Sequence, residues 1–233
     1  MSRFIFVILL PFLAAFFIGC GDTDNTFTQR LSFDFFDSPQ GWQSGFAGLP
    51  PDSEESYELD ADWLPLPEPL DTTRNALFIS GNNQSDGLFM FYKQRFIGLS
   101  PGQEVRIRYQ IEFASNMPEP CEVQPEPVFL KAGASNVEPR AILQQENQGQ
   151  ILRMNIDVDE AADVLGNITD IELCSDENQN GLELKGLETP EDGGIIVSAD
   201  ESGAIWLFLG IDSGFEGITS AYFSFILISI TSV

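Results

Sequence analysis

The chain has 233 residues, enough to bury one sizeable core, and carries 36 acidic against 11 basic residues, a formal net charge of −25. That sign argues against nucleic acid as a partner, because phosphate binding draws on the opposite one, and it disfavours direct docking on anionic lipid heads. Histidine is absent, which removes Ser-His-Asp and Cys-His catalysis, imidazole-ligated zinc or copper, and an imidazole pH switch.

Met1-Ser2-Arg3 carries one positive charge, Phe4 to Ile18 is apolar apart from Pro11, and Gly19-Cys20 follows. This is the build of a secretory signal, with an apolar run too short to span a bilayer comfortably. Phe17-Ile18-Gly19-Cys20 resembles the lipobox of bacterial lipoproteins, departing from it at Phe17, where that family prefers an aliphatic residue. The resemblance implies a signal peptide over 1–19, cleaved before Cys20, whose thiol and new amino group are acylated, with palmitate-type chains as the anchor. Acyl chains contribute about 0.8 kcal/mol per buried CH₂, so several hold a domain firmly at a membrane. A secretory signal with an incidental cysteine is the alternative. Residues 20–28 read as lipidated cysteine and polar tether, and 29–233 as one β-sandwich domain. Gly21 rather than Asp follows the anchor, so the common inner-membrane retention signal is missing. An outer-membrane address in the cell envelope is expected, with its periplasmic or surface face open. Cleavage removes only Arg3, leaving −26.

Taken in order, Leu31 to Phe36 is a first strand, ended by Asp37-Ser38-Pro39-Gln40-Gly41. Trp42 opens the next run. Ala47 to Pro69 is rich in Pro, Asp and Glu and is expected to drape over a sheet face or edge, pinned by Tyr57, Trp63, Leu64 and Leu66. Asn75 to Ser80 is a strand. Gly87 to Ile97 and Glu104 to Ala114 read as adjacent antiparallel strands about the turn Gly98-Leu99-Ser100-Pro101-Gly102. In the second of them Val105, Ile107, Tyr109, Ile111 and Phe113 share one face, while Arg106, Arg108, Gln110 and Glu112 take the other. Pro127 to Gly133 and Ile151 to Val158 are further strands. Asp159 to Glu191 is the least regular stretch. Gly194 to Ser198, Ala204 to Ile211 and Ala221 to Ile230 close the chain, and Trp206 in the continuous apolar run is expected in the core.

Nine to eleven short strands with turn punctuation, and no convincing helix, predict an all-β fold: a two-sheet antiparallel β-sandwich of jelly-roll type. Leu31-Ser32-Phe33-Asp34-Phe35 followed by Gly41-Trp42, and Gly98-Leu99-Ser100-Pro101-Gly102 before a long alternating strand, resemble the jelly-roll carbohydrate-binding modules of the galactose-binding-like type. The chain also resembles uncharacterised bacterial lipoproteins. The first resemblance implies a glycan ligand and a structural calcium near the first and last strands. Asp34 suits the first place, whereas Phe223-Ser224-Phe225 offers no acid for the last.

The other candidates come from residue types. Cys121 and Cys174 form an even pair in an oxidising compartment and are expected to join as a disulfide; two buried thiols are the alternative. Asp176, Asn178 and Asn180 match the start of a calcium loop, but Leu187 stands where the closing acid belongs. Asn82, Asn83 and Asp86 in one loop, with Asp212 and Glu216 in another, carry groups that suit sugar hydroxyls or calcium. Trp42, Trp63, Tyr57 and Tyr92 are large enough to stack on sugar rings, although a chain with 20 phenylalanines uses aromatics chiefly as core. The reading is a lipid-anchored, non-catalytic extracytoplasmic module, carbohydrate-binding by analogy of fold. A structural or accessory protein holding another envelope protein is the first alternative, and a carboxylate-based glycan-acting enzyme the second.

Overall fold

The computed structural model describes residues 27–84, 87–115, 127–147, 149–168 and 182–233. Among them are fourteen strands: β1 (Thr28–Phe33), β2 (Gln43–Ala47), β3 (Asp60–Pro65), β4 (Asn75–Asn83), β5 (Leu88–Ile97), β6 (Glu104–Ser115), β7 (Val128–Ser135), β8 (Ala141–Glu146), β9 (Gly149–Met154), β10 (Ala162–Asn167), β11 (Lys185–Glu188), β12 (Ile195–Ser198), β13 (Ala204–Ser213) and β14 (Gly217–Ser232). One short helix, α1 (Val158–Ala161), is capped by the Asp157 carboxylate, which accepts from the Asp159 and Glu160 amides.

A seven-stranded antiparallel sheet runs β11-β6-β14-β4-β3, with β1 also on β14 and β12 also on β6. A five-stranded antiparallel sheet runs β10-β7-β13-β5-β2. The fold is a two-sheet antiparallel β-sandwich, and from β4 to β7 the chain changes sheet at each strand. This corrects the expectation that β5 and β6 pair. β5 lies between β13 and β2, and β6 between β14 and the β11/β12 edge. The Gly98–Gly102 turn therefore crosses between layers. Its approach to the next turn depends on Gly203, at φ 74°, where a Cβ would lie 2.0 Å from the Leu99 carbonyl oxygen. Gly98 and Leu99 both donate to the Gly203 carbonyl, at 3.2 and 3.1 Å.

The alternation of β6 is realised in full. Val105, Ile107, Tyr109, Ile111 and Phe113 join the inter-sheet core with Leu207, Leu209, Ile211, Ile226, Ile228 and Ile230. Two phenols tie the layers: Tyr109 Oη donates to the Gly133 carbonyl at 2.6 Å, and Tyr92 Oη to the Phe78 carbonyl. Burial raises both pKa values, so each phenol stays a neutral donor.

Three further expectations shift. The Ala47–Pro69 segment contributes β3 to the sheet edge, so it is not only a drape. The expected Ile151–Val158 strand ends at Met154 as β9, which forms a hairpin with β8, and Val158 opens α1. Trp206 points away from the core and is half-exposed, with Lys93 Nζ 5.5 Å from its ring centroid. The run around it is continuous because the outer face of its sheet is also covered. Phe89, Phe91, Ala162 and Phe208 form a second cluster there, packed by Met154, Ile156, Val158 and Ala161 from the hairpin exit and α1.

Candidate functional site

The two sheets present different outer faces. On the five-stranded sheet, the hairpin and α1 leave a cavity of about 420 Å³ lined by Phe89, Lys131, Gln144, Arg153, Asp159 and Asp212, among others. Its central charge is already answered. Lys131 Nζ lies 2.6 Å from Asp159 and 2.7 Å from Asp212, with its side chain only 8% exposed. Burial opposes the ammonium, but the hydrogen bonds to Asp159 and then Asp212 outweigh it and raise its pKa. Arg153 pairs with Glu146 at 2.8 Å, and Lys93 with Glu138 at 2.6 Å. This face spends its cations on holding its own cover.

The seven-stranded sheet turns another kind of surface outward. Leu77 and Ile79 enter the core from β4, so Phe78 between them points out. In β14, Ser224 is an extra residue opposite the Phe113–Glu112 step of β6, a bulge that resets the alternation. Phe223 points in before it; Phe225, Leu227 and Ser229 point out after it, because Ile226, Ile228 and Ile230 fill the core. Register then aligns Asp62, Phe78 and Tyr222 in one row across β3, β4 and β14. The Phe78 and Tyr222 rings are 4.7 Å apart at 39°, both partly exposed. Partial burial and the Asp60 carboxylate raise the Tyr222 pKa, which keeps its hydroxyl protonated as a donor.

Beside this pair runs a polar network. Arg74 Nη2 donates to Glu112 Oε1 at 2.5 Å, and Ser224 Oγ donates to the same oxygen at 2.8 Å. Partial burial disfavours the Glu112 anion, but the hydrogen bonds from Arg74 and Ser224 prevail and lower its pKa. A depression of about 380 Å³ continues past Phe225, lined by Gln110, Glu112, Gly186, Leu187 and Glu188. Aromatic faces and planar, oriented donors and acceptors thus share one surface.

The residues singled out from sequence do not form one constellation. Trp42 is buried at 5% exposure and meets Phe33 edge-to-face, which places it in the core and not on a stacking face. Trp63 is half-buried against the core, its Nε1 donating to the Phe35 carbonyl at 2.8 Å. Tyr57 and Tyr92 are buried. Asn83 is buried and donates to the Ser213 carbonyl at 2.9 Å, tying the two polar loops together. Asn82 Nδ2 instead donates to Glu58, and Asp212 faces the opposite sheet surface in its ion pair with Lys131. Glu216 is exposed in the loop after β13. Asp34 accepts from the Phe36 amide and from Gln40. Among the described residues, no group of three or more acidic or cysteine side chains is arranged to hold a metal ion. Cys20, Asp86, Cys121, Cys174, Asp176, Asn178 and Asn180 lie outside the described residues. Phe78, Tyr222 and Phe225 are not among the residues read from sequence. Alternation with Leu77 and Ile79 marks Phe78; the bulge at Ser224 hides Phe225.

No protein-family model matches the chain, and no curated protein does. Solved structures give weak likenesses. One is a carbohydrate-binding module, TmCBM27, described for specific mannan recognition: 14% identity, 89% of this chain, 98% of that one, TM-score 0.39. Another is from a set of β-sandwich carbohydrate-binding modules of promiscuous specificity: 10% identity, 86% of this chain, 73% of that one, TM-score 0.36. A third is the enzymatically active domain of tailspike protein 4 of bacteriophage CBA120: 10% identity, 80% of this chain, TM-score 0.33. The chain spans only 19% of that tailspike's length. Likeness at this level bears on neither ligand nor activity.

Proposed function

We propose that the chain is a lipid-anchored, extracytoplasmic, non-catalytic module that binds a glycan on the outer face of its seven-stranded sheet. The observation that carries this is the partly exposed Phe78–Tyr222 pair, flanked by Asp62 on one side and the Arg74–Glu112–Ser224 network on the other. Aromatic faces supply apolar contact to a sugar ring, and side chains already fixed by hydrogen bonds lose little freedom when they take its hydroxyls. The other face is served by internal ion pairs and a packed cover, which suits a structural role.

The test is a glycan-array screen of the full chain in detergent, with and without calcium. Selective binding that Tyr222→Ala or Phe78→Ala weakens about tenfold, some 1.4 kcal/mol, supports the reading. Binding that requires calcium would bring the acidic loops into it. No binding by a folded sample favours an envelope-protein partner. Anchoring through Cys20 is tested separately: Cys20→Ala is expected to release the chain from membrane fractions, and unchanged attachment would sink that part.

A further inference from the structure

A chain with 36 acidic and 11 basic residues is expected to spend every cation on a carboxylate. Arg74, Lys93, Arg95, Lys131 and Arg153 do so. Among the described residues Arg30, Arg106, Arg108, Arg140 and Lys185 make no ion pair, and the first three stand together on the outer face of the seven-stranded sheet. Register fixes their arrangement. Arg30 of β1 lies opposite Ser229 of β14, which lies opposite Arg108 of β6. Adjacent strands are about 4.8 Å apart, so the two arginines flank Ser229 at roughly 10 Å between Cα atoms. Arg106 follows about 7 Å along β6 on the same face, its Nη1 donating to the Gly194 carbonyl at 3.2 Å.

Arg30, Arg108 and Ser229 line a cavity of about 610 Å³, with Gln110, Glu188 and Glu191 on its wall. The two glutamates are near enough to share the cavity, yet neither comes within ion-pair distance of an arginine. Glu188 instead accepts from Gln110 Nε2 at 2.9 Å. The cavity adjoins the aromatic row along one strand: Tyr222, Phe225, Leu227 and Ser229 follow each other outward on β14, a path of roughly 20 Å at about 3.3 Å per residue. One extended ligand would reach both ends.

We infer that Arg30 and Arg108, with Arg106 beside them, form an anion subsite that takes the carboxylate or sulfate of an acidic glycan lying along β14. A guanidinium presents paired, coplanar N–H donors that match either oxyanion, and the serine hydroxyl between the two strands offers a further donor. The net charge of the chain repels a polyanion at a distance, and about 0.15 M salt confines that repulsion to roughly 8 Å. Capture is therefore short-range and belongs to these side chains. The inference rests on the glycan reading of the same face.

The experiment is calorimetric titration of the full chain in detergent at about 0.15 M salt, with three probes: oligogalacturonate for carboxylate, carrageenan oligosaccharide for sulfate, and neutral galactan oligosaccharide. At least one acidic probe is expected to bind tighter than the neutral one, and which of them does so identifies the anion. Arg30→Gln and Arg108→Gln are each expected to weaken the acidic probe about tenfold and leave the neutral one unchanged; Tyr222→Ala weakens both. Arg30 is exposed, so its variant tests binding with little effect on folding. Neutral binding equal to acidic binding, or arginine variants that keep the preference, would overturn the subsite and leave the glycan reading standing. No binding of any probe would overturn both.

Discussion

At the scale of single residues, Glu112 shows how this surface is held ready. Its carboxylate takes Arg74 and Ser224 together on the side of the bulge that also carries Tyr222 and Phe225. The Arg74 and Glu112 side chains are 36% and 38% exposed, so solvent screens the pair and Glu112→Gln is expected to cost on the order of 0.5–1 kcal/mol. In a domain of this size that is a melting decrease of about 1–4 °C. The folded pKa lies below its ordinary value. The stabilisation is therefore present above the ordinary carboxylate range and lost as pH falls through the folded value. Melting temperatures of the two proteins should differ near neutral pH and converge as pH falls below the folded pKa of Glu112; a constant gap would show that the charge contributes nothing. The same scale explains the misplaced tryptophans. Residue type says that Trp42 is large and apolar, which suits a core and a sugar platform equally. Only its partners, Phe33 among them, decide. Trp206 erred the other way, since an apolar run covered on both faces looks alike on each.

At the scale of elements, the hairpin β8–β9 and α1 decide which sheet face is covered. They cover Phe89, Phe91 and Phe208 and reach the sheet at Gly133, where a Cβ would lie 1.9 Å from the Ala161 carbonyl oxygen. That neighbour is backbone and cannot turn aside. Gly133→Ala is expected to lift α1 and cost about 1–3 kcal/mol, read as a lower melting temperature and new dye binding at the exposed phenylalanines. An unchanged melting temperature would mean the contact is not tight. The individual strands were legible because period-2 alternation is a local property: β6 could be read face by face. Their partners were not. The turn at Gly98–Gly102 suits a hairpin by composition, yet it changes sheet, since pairing is settled by distant strands such as β13 and β14. Hidden too was the bulge at Ser224, because Phe-Ser-Phe alternates well enough to suggest one continuous face.

At the scale of the whole molecule, a net charge of −25 sits on a fold whose ion pairs are few among the described residues. Self-repulsion between carboxylates is the larger electrostatic effect, and salt screens it. Raising sodium chloride from about 0.05 M to about 0.5 M is expected to raise the melting temperature, and a fall would show that the ion pairs dominate. Fold class was readable from strand number and turn chemistry; the proposed binding face was not, because it depends on which sheet the hairpin covers. The measurement that bears most directly on the central claim sets the two faces against each other, by titrating the full chain with the best glycan from the array. Tyr222→Ala is expected to abolish or strongly weaken binding, while Asp159→Asn, at the rim of the opposite cavity, leaves it unchanged. The reverse pattern would move the site to the five-stranded sheet and contradict the account.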